Sequence, residues 1–298
     1  MRWLLVASLV AAGSALAMSS AAASPERHNP PRLIVLVVAG QSNALGYQSF
    51  VIDPKTHKDV FTEKGSSPAD RSVPFIFEDS GIIGGALPPG PLDTPQKRRG
   101  AKSPIFGPEV GLARSLYRLG HRNLLVVKVA FSGSSLAVNW APGSVDFSAL
   151  VTRVQSAMAW AKDGGWSPTI RGFYWMQGES DAVKAPYAAD YQQNLVHFIS
   201  NIRTDLPLKS TTPIVIGQID LSKYISYEQA RNLCATKSCS SELRWNSEVM
   251  RAQASVTGKD VLLAKTSKLP RYLDDLHLTN AGELSLGKEF GSLTRSRI

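Results

Sequence analysis

Five short runs of apolar, largely β-branched residues punctuate the chain: Leu33 to Ala39, Leu124 to Ala130, Ile170 to Met176, Pro213 to Ile219 and Val261 to Lys265. The apolar character continues on both alternating faces of each run, which is the pattern of strands covered on both sides. Between the runs, apolar positions recur at helical spacing over Pro108 to Leu119, about Phe147 to Ala161, Tyr187 to Leu206, Glu242 to Val256 and Ala281 to Leu293. Such alternation predicts an α/β fold with a mainly parallel five-stranded sheet and helices on both faces. Local signals agree. Pro108 and Glu109 open one helix and Gly120 follows its end. Asn280, with Glu283 three residues on, predicts a capping pair at the start of the last helix.

One stretch breaks the pattern. Residues 47–103 are rich in Gly, Pro, Ser and Asp, show no sustained period and are too long for an ordinary connection. They predict a loop insertion lying over a ligand site; a solvated insertion without a role is the alternative. The start of the chain differs as well. Arg2, an apolar stretch from Trp3 to Ala12 and then small residues predict a secretory signal peptide over residues 1–23, with cleavage after Ala17 or Ala23. A single domain over residues 24–298, secreted or periplasmic, is the corresponding expectation. The apolar stretch is short against the ~20 residues of a membrane span, and an uncleaved anchor is the alternative.

Charge and cysteines refine this picture. Lys and Arg number 33 against 24 Asp and Glu, a formal net charge of +9 that favours anionic partners. The basic residues are scattered, with no stripe interleaved with aromatics, so nucleic acid is not an expected partner. In an oxidising compartment Cys234 and Cys239 predict a local disulfide. Their spacing matches no metal site.

Ligands of open α/β sheets bind beyond the carboxyl ends of the strands. The first strand leads into Gly40, Gln41, Ser42 and Asn43, the second into Ser132, Gly133, Ser134 and Ser135, and the third into Gln177, Gly178, Glu179 and Asp181. Beyond the fifth come Asp274, Asp275 and His277. A serine hydroxyl becomes a competent nucleophile when a histidine takes its proton and a carboxylate fixes that histidine's tautomer. Ser42, His277 and Asp274 are the candidates for those roles. The N–H groups of Ser42 and Gly133 and the side-chain amide of Gln177 are candidate donors for a tetrahedral oxyanion. Each residue has an ordinary reading too: Ser42 as a helix cap, Gly133 as a turn glycine, Gln177 as a cap, Glu179 and Asp181 as caps of the next helix. Convergence of four strand ends favours chemistry over turn residues.

The blocks "AGQSNALG", "FGPEVGLAR", "KVAFSGSSL", "YWMQGESDA" and "DDLHLTNAG" together resemble the SGNH-hydrolase superfamily. More narrowly, they resemble carbohydrate esterase family six and the sialate O-acetylesterase-like proteins. The blocks occur in family order from about residue 33 to 290. The resemblance implies a three-layer α/β/α sandwich, hydrolysis of acetyl esters on a carbohydrate such as acetylxylan or sialic acid, and no cofactor. By matching motif it makes Ser42 the nucleophile, His277 the base, Asp274 the orienting acid and Gln177 an oxyanion donor, with Asn43 and Glu179 in support. The second block reads Ser132-Gly133-Ser134 where the family commonly has Gly-Gly-Thr, and Asp275 beside Asp274 leaves two acids to choose between. A lipase or short-chain thioesterase, an acyltransferase and a non-catalytic glycan-binding protein are the alternatives. Trp140, Tyr174, Trp175 and Tyr187 are candidate stacking surfaces for a sugar, with core packing the ordinary use of such rings.

Overall fold

Strand β1 (Arg32–Gly40) is the middle of the sheet, hydrogen-bonded in parallel to β4 (Leu124–Ala130) on one side and to β5 (Ser167–Met176) on the other. Beyond β4 lie β2 (Pro74–Glu78) and β3 (Gly90–Pro91), and beyond β5 lie β6 (Ile214–Gln218) and β7 (Val261–Lys265). All pairings are parallel except that of β3 with β2. The computed structural model describes residues 29–79, 88–96, 103–220 and 245–298. Among these the sheet has seven strands, two more than the sequence pattern predicts.

Both additional strands come from the stretch expected to be a loop. Val73-Pro74-Phe75-Ile76-Phe77 is a genuine buried run, with a proline at the strand's first position where a missing N–H is tolerated. Its five residues are too few to show a period among glycines and prolines. The expected insertion is therefore partly a sheet edge, which β2 forms against β4.

Helices α1 (Ser42–Leu45), α2 (Ala69–Ser72), α3 (Pro108–Arg118), α4 (Val145–Asp163), α5 (Ala185–Asp205), α6 (Asn246–Ser255) and α7 (Asn280–Thr294) complete the described elements. Successive residues of β5 show how the layers form. Phe173 and Trp175 pack on Phe198 of α5, while Tyr174 between them meets Phe290 and hydrogen-bonds Thr294 of α7. Alternate side chains of one strand thus enter opposite layers, which is the two-residue period of a sheet covered on both faces. The expected three-layer α/β/α arrangement is the one observed.

Two local expectations are corrected. The last helix is capped by Thr279, whose hydroxyl accepts from Gly282 N, and not by Asn280. Asn280 instead exchanges hydrogen bonds with the backbone of Phe50. The fully buried strand β4 is also not apolar throughout. Lys128 is fully buried, and its ammonium donates to Glu109 of α3 at 3.0 Å and to the Leu45 carbonyl at 3.1 Å. The signal-peptide residues 1–23 and both cysteines, Cys234 and Cys239, lie outside the described residues. Among the described residues no helix is long and apolar enough to cross a membrane.

Candidate active site

The carboxyl ends of β1, β4 and β5 lie level, with Gly40 opposite both Ala130 and Met176. Whatever follows these strands therefore gathers at one edge. Gly40 turns the chain with φ +143°, and a Cβ there would sit 2.0 Å from the Met176 carbonyl oxygen, so only glycine fits. The turn delivers Ser42 as the first residue of the single-turn helix α1. Gln41 is the cap residue and no side chain caps the helix, so Ser42 is not held in the capping role that is its ordinary reading. Its N–H, at the first helical position, has no acceptor within the helix.

The opposite wall comes from the loop between β7 and α7. Arg271 bridges Leu278, and Tyr272 N donates to His277 O at 2.7 Å, which folds residues 272–277 into a tight arch. Within it Asp274 Oδ2 lies 2.7 Å from His277 Nδ1, while its Oδ1 accepts from the backbone N–H of Leu276 and His277. Burial alone would raise the Asp274 carboxyl, but these hydrogen bonds and the nearby imidazole outweigh it and hold the group below the usual aspartate value. An ionised carboxylate can only accept, so Nδ1 carries the hydrogen, which in the neutral imidazole leaves the lone pair on Nε2. The adjacent Asp275 adopts φ +51° and points to a separate pocket, which leaves Asp274 as the partner of His277. Tyr47 stacks on the imidazole with ring centroids 4.7 Å apart.

Asn43, fully buried, ties the two walls together. Its Nδ2 donates to Glu179 Oε1 (2.6 Å) and to the Leu276 carbonyl (3.3 Å), and its Oδ1 accepts from Leu278 N (2.9 Å). The peptide groups on both sides of His277 are therefore anchored to the residue after Ser42. Arg271 reinforces the clamp by donating to the same Leu276 carbonyl at 2.7 Å. Burial lowers the Arg271 guanidinium from its ordinary value, with the carboxylates of Glu179, Asp220, Glu283 and Asp274 acting in the other direction.

Ser42 and His277 line one cavity of about 610 Å³, together with Gln41, Gly133, Lys184 and Tyr187. Gly133 is exposed, and its φ of +76° gives the turn after β4 a left-handed residue at the cavity wall. Val138 and Val183 supply an apolar rim, and Lys184 lies over the Tyr187 ring at 4.7 Å. Of the four aromatics singled out from sequence, Tyr187 lines the cavity, whereas Trp140, Tyr174 and Trp175 are fully buried core. Of the described residues in 47–103, only Tyr47 lines this cavity, so the expected cover over the site is not seen in them.

Gln177 departs from expectation. It is fully buried, and its Nε2 donates to Asp181 Oδ2 (2.6 Å), Ser134 O (3.1 Å) and Gln41 Oε1 (3.2 Å). Those contacts use the two hydrogens of the amide, so it is not presented to the cavity as an oxyanion donor. Gln177 and Asp181 instead brace the loop after β4, because Asp181 also accepts from Leu136 N and Ala137 N. Burial raises the Asp181 carboxyl despite these bonds. Asp181 and Glu179 do not cap α5, whose start carries no side-chain cap. Gln41 is the residue that sequence reasoning passed over. Its Oε1 is fixed by Gln177 Nε2, Gly178 N and Ser180 N, and among the described residues no acceptor meets its Nε2 at the cavity wall. Its position between a strand-ending glycine and the serine was the available signal.

Residues 32–295 match the family described as carbohydrate esterase, sialic acid-specific acetylesterase, and the chain belongs to that family of carboxylic ester hydrolases. A probable carbohydrate esterase from Arabidopsis thaliana is 28% identical over 156 residues, 52% of this chain and 50% of that protein, so the match spans half of the relative's length. The solved structure of an Arabidopsis thaliana protein superposes with TM-score 0.64 at 22% identity, covering 89% of this chain and 99% of that one. NanS superposes with TM-score 0.61 at 15% identity, covering 90% and 98%. A carbohydrate acetylesterase from Xanthomonas citri gives 0.55 at 14% identity, covering 89% and 56%. At these identities the structures share the fold with this chain.

Proposed function

We propose that the protein hydrolyses O-acetyl esters on a carbohydrate through an acetyl-enzyme formed on Ser42. The observation that carries this reading is the hydrogen-bonded Asp274–His277 pair lining the same cavity as Ser42, with both loops tied to Asn43. Nε2 of His277 takes the Ser42 hydroxyl proton as Oγ attacks the acetyl carbonyl carbon. The carbonyl oxygen gains the negative charge and accepts from the N–H of Ser42 and Gly133, with Gln41 Nε2 as the third donor in place of Gln177. The tetrahedral intermediate collapses as His277 returns the proton to the leaving sugar oxygen. Water, deprotonated by the same Nε2, then attacks the acetyl-enzyme, releasing acetate and restoring the serine.

A sugar fits the walls: hydroxyls and amides from Ser132, Ser180 and Asn139 beside the Tyr187 ring. Residues 1–23 have the composition of an export signal, which supports a reaction outside the cytoplasm. The test is acetate release by the purified protein from acetylated xylan and O-acetylated sialic acid, with nitrophenyl esters of increasing chain length alongside. Acetyl substrates should be cleaved fastest, and Ser42→Ala should be inactive with an unchanged unfolding midpoint. Preference for long acyl chains would make it a lipase, and full activity in Ser42→Ala would rule out the serine mechanism.

A further inference from the structure

The opposite edge of the sheet, where the strands begin, has its own concentration of charge. A cavity of about 590 Å³ and a second of about 360 Å³ lie there and share Arg171 and Lys209 in their walls. Arg32 and Arg122 line the first, and Lys259 and Arg297 the second. These six cations come from β1, the turn before β4, β5, the segment before β6, the turn before β7 and the segment after α7. Among the described residues the side-chain carboxylate lining them is Asp260, which is paired with Arg297 at 3.0 Å, and the main-chain carboxyl of Ile298 lines the first cavity, where it accepts from Arg171.

Two facts separate this face from ordinary solvated charge. First, three of the cations are held in place. Arg171 donates to the carbonyl oxygen of Arg297 (2.6 Å) and to the main-chain carboxyl of Ile298 (3.1 Å), Arg122 stacks on Tyr117 and donates to its carbonyl, and Arg297 is fixed by Asp260. Second, among the described residues the side chains of Arg32, Lys209 and Lys259 have no hydrogen-bond acceptor or carboxylate partner, so three like charges converge with no direct counter-ion, and the six cations of the lining outnumber its carboxyl groups. Cations in the last turns of helices complement the helix dipole. Arg32, Arg171, Lys209 and Lys259 lie outside helices and have no such assignment.

We infer that this face is an anion-binding site for a linear acidic polysaccharide, separate from the cavity that holds Ser42. From β4 to β7 the two cavities run across five strands, a span of about 19 Å at ~4.8 Å per strand step, which suits several consecutive charged sugar units rather than one small anion. The remaining lining offers hydroxyls and an amide, from Ser167, Thr169, Thr211, Thr212 and Asn123, which match sugar hydroxyls. Among the described residues no aromatic ring lines either cavity, so they offer no base-stacking platform of the kind single-stranded nucleic-acid binders use. Among the described residues none of the exposed large hydrophobic side chains lines them either, so their lining offers no apolar wedge of the kind that enters a bilayer.

The probe is polygalacturonate, with neutral dextran and a single-stranded oligonucleotide as comparisons, titrated against the full-length protein at rising salt. Polygalacturonate should bind, dextran should not, and binding should weaken as salt screens the exposed charges. The triple variant Arg32→Gln, Lys209→Gln, Lys259→Gln should bind roughly tenfold or more weakly. A triple variant of equal charge loss elsewhere, Lys64→Gln, Arg71→Gln, Lys268→Gln, should change affinity less than about twofold. Amine-reactive footprinting of the wild type needs no variant, and bound polymer should protect Lys209 and Lys259 while leaving Lys184 at the other edge reactive. Equal weakening in both triple variants overturns the proposal, as does protection of Lys184 alone, tighter binding of the oligonucleotide, or no binding of polygalacturonate. Because every readout is binding, none of these outcomes depends on whether the protein releases acetate.

Discussion

Asp274 and His277 meet at 2.7 Å, and Glu109 and Lys128 meet at 3.0 Å. The first pair is three residues apart in one arch, and its side chains are 30% and 13% exposed. The second joins α3 to β4 across nineteen residues, and its side chains are 0% and 1% exposed. Similar geometry therefore leads to different roles. A pair at a cavity wall can exchange a proton with what enters, whereas a sealed pair can only hold two layers together. The sealed pair also lacks full compensation, because Glu109 Oε2 and both oxygens of neighbouring Glu283 have no hydrogen-bond partner.

Substitutions should separate the two pairs. Asp274→Asn keeps the shape of the arch but presents an amide that can donate to Nδ1, favouring the wrong tautomer; kcat for acetyl ester cleavage should fall about 10⁴-fold, with the unfolding midpoint little changed. Comparable kcat in that variant would dismiss Asp274 as the orienting acid. Lys128→Met should do the reverse. Leaving Glu109 buried without its cation should cost about 3–5 kcal/mol of stability by denaturant titration. Its folded fraction should keep kcat/KM within about tenfold of wild type, since Lys128 does not line the cavity and touches α1 only at the Leu45 carbonyl, at the far end of that helix from Ser42. Adding Glu109→Gln to Lys128→Met should recover part of the loss, and strict additivity would show that the two do not act as a pair.

Asn43→Ala probes the link between the arch and the serine turn. It leaves Leu278 N–H and Glu179 without a partner and lets the arch shift, so kcat/KM should fall on the order of 10²-fold. Substrate KM and kcat measured together would show kcat falling more than KM rises if alignment is what is lost.

The smallest effect belongs to Glu283. Burial, and then the nearby carboxylate of Glu109, push its carboxyl well above the ordinary glutamate value. Its native state therefore holds a proton that the unfolded chain releases near the ordinary value. The stabilisation from that proton is complete at acid pH, below the unfolded value, and is lost as pH rises towards the raised folded value. Glu283→Gln, which cannot ionise, should unfold at the same temperature as wild type near pH 4 and a little higher at pH 8. Coincident curves at pH 8 would show that the wild-type group carries no such cost.

The same contrast explains what the sequence made legible. Asp274 and His277 stand within one short segment, and four polar strand ends follow four apolar runs, so pattern grouped Ser42, Gly133, Glu179 and His277, which line one cavity. Contacts that depend on distant packing were hidden. Lys128 sits inside an otherwise apolar run, and nothing local says that Glu109 receives its charge. Gln177 lies at the expected strand end, yet the turn of its side chain towards Asp181 follows from how two loops pack. β2 was missed because five residues without a period cannot stand out among prolines and glycines, although their burial against β4 is complete enough to define a strand.

The clamp made by Asn43 separates the completion of the sheet from the completion of the site. All seven described strands precede Arg271, but the imidazole proposed to take the Ser42 proton comes with the arch at 271–278, which Asn43 holds through Leu278 N. During synthesis the serine emerges with the first described strand, and the histidine only after the last of them. On the proposed mechanism a nascent chain with these strands paired is therefore still inert, and hydrolysis begins only when the arch docks on Asn43.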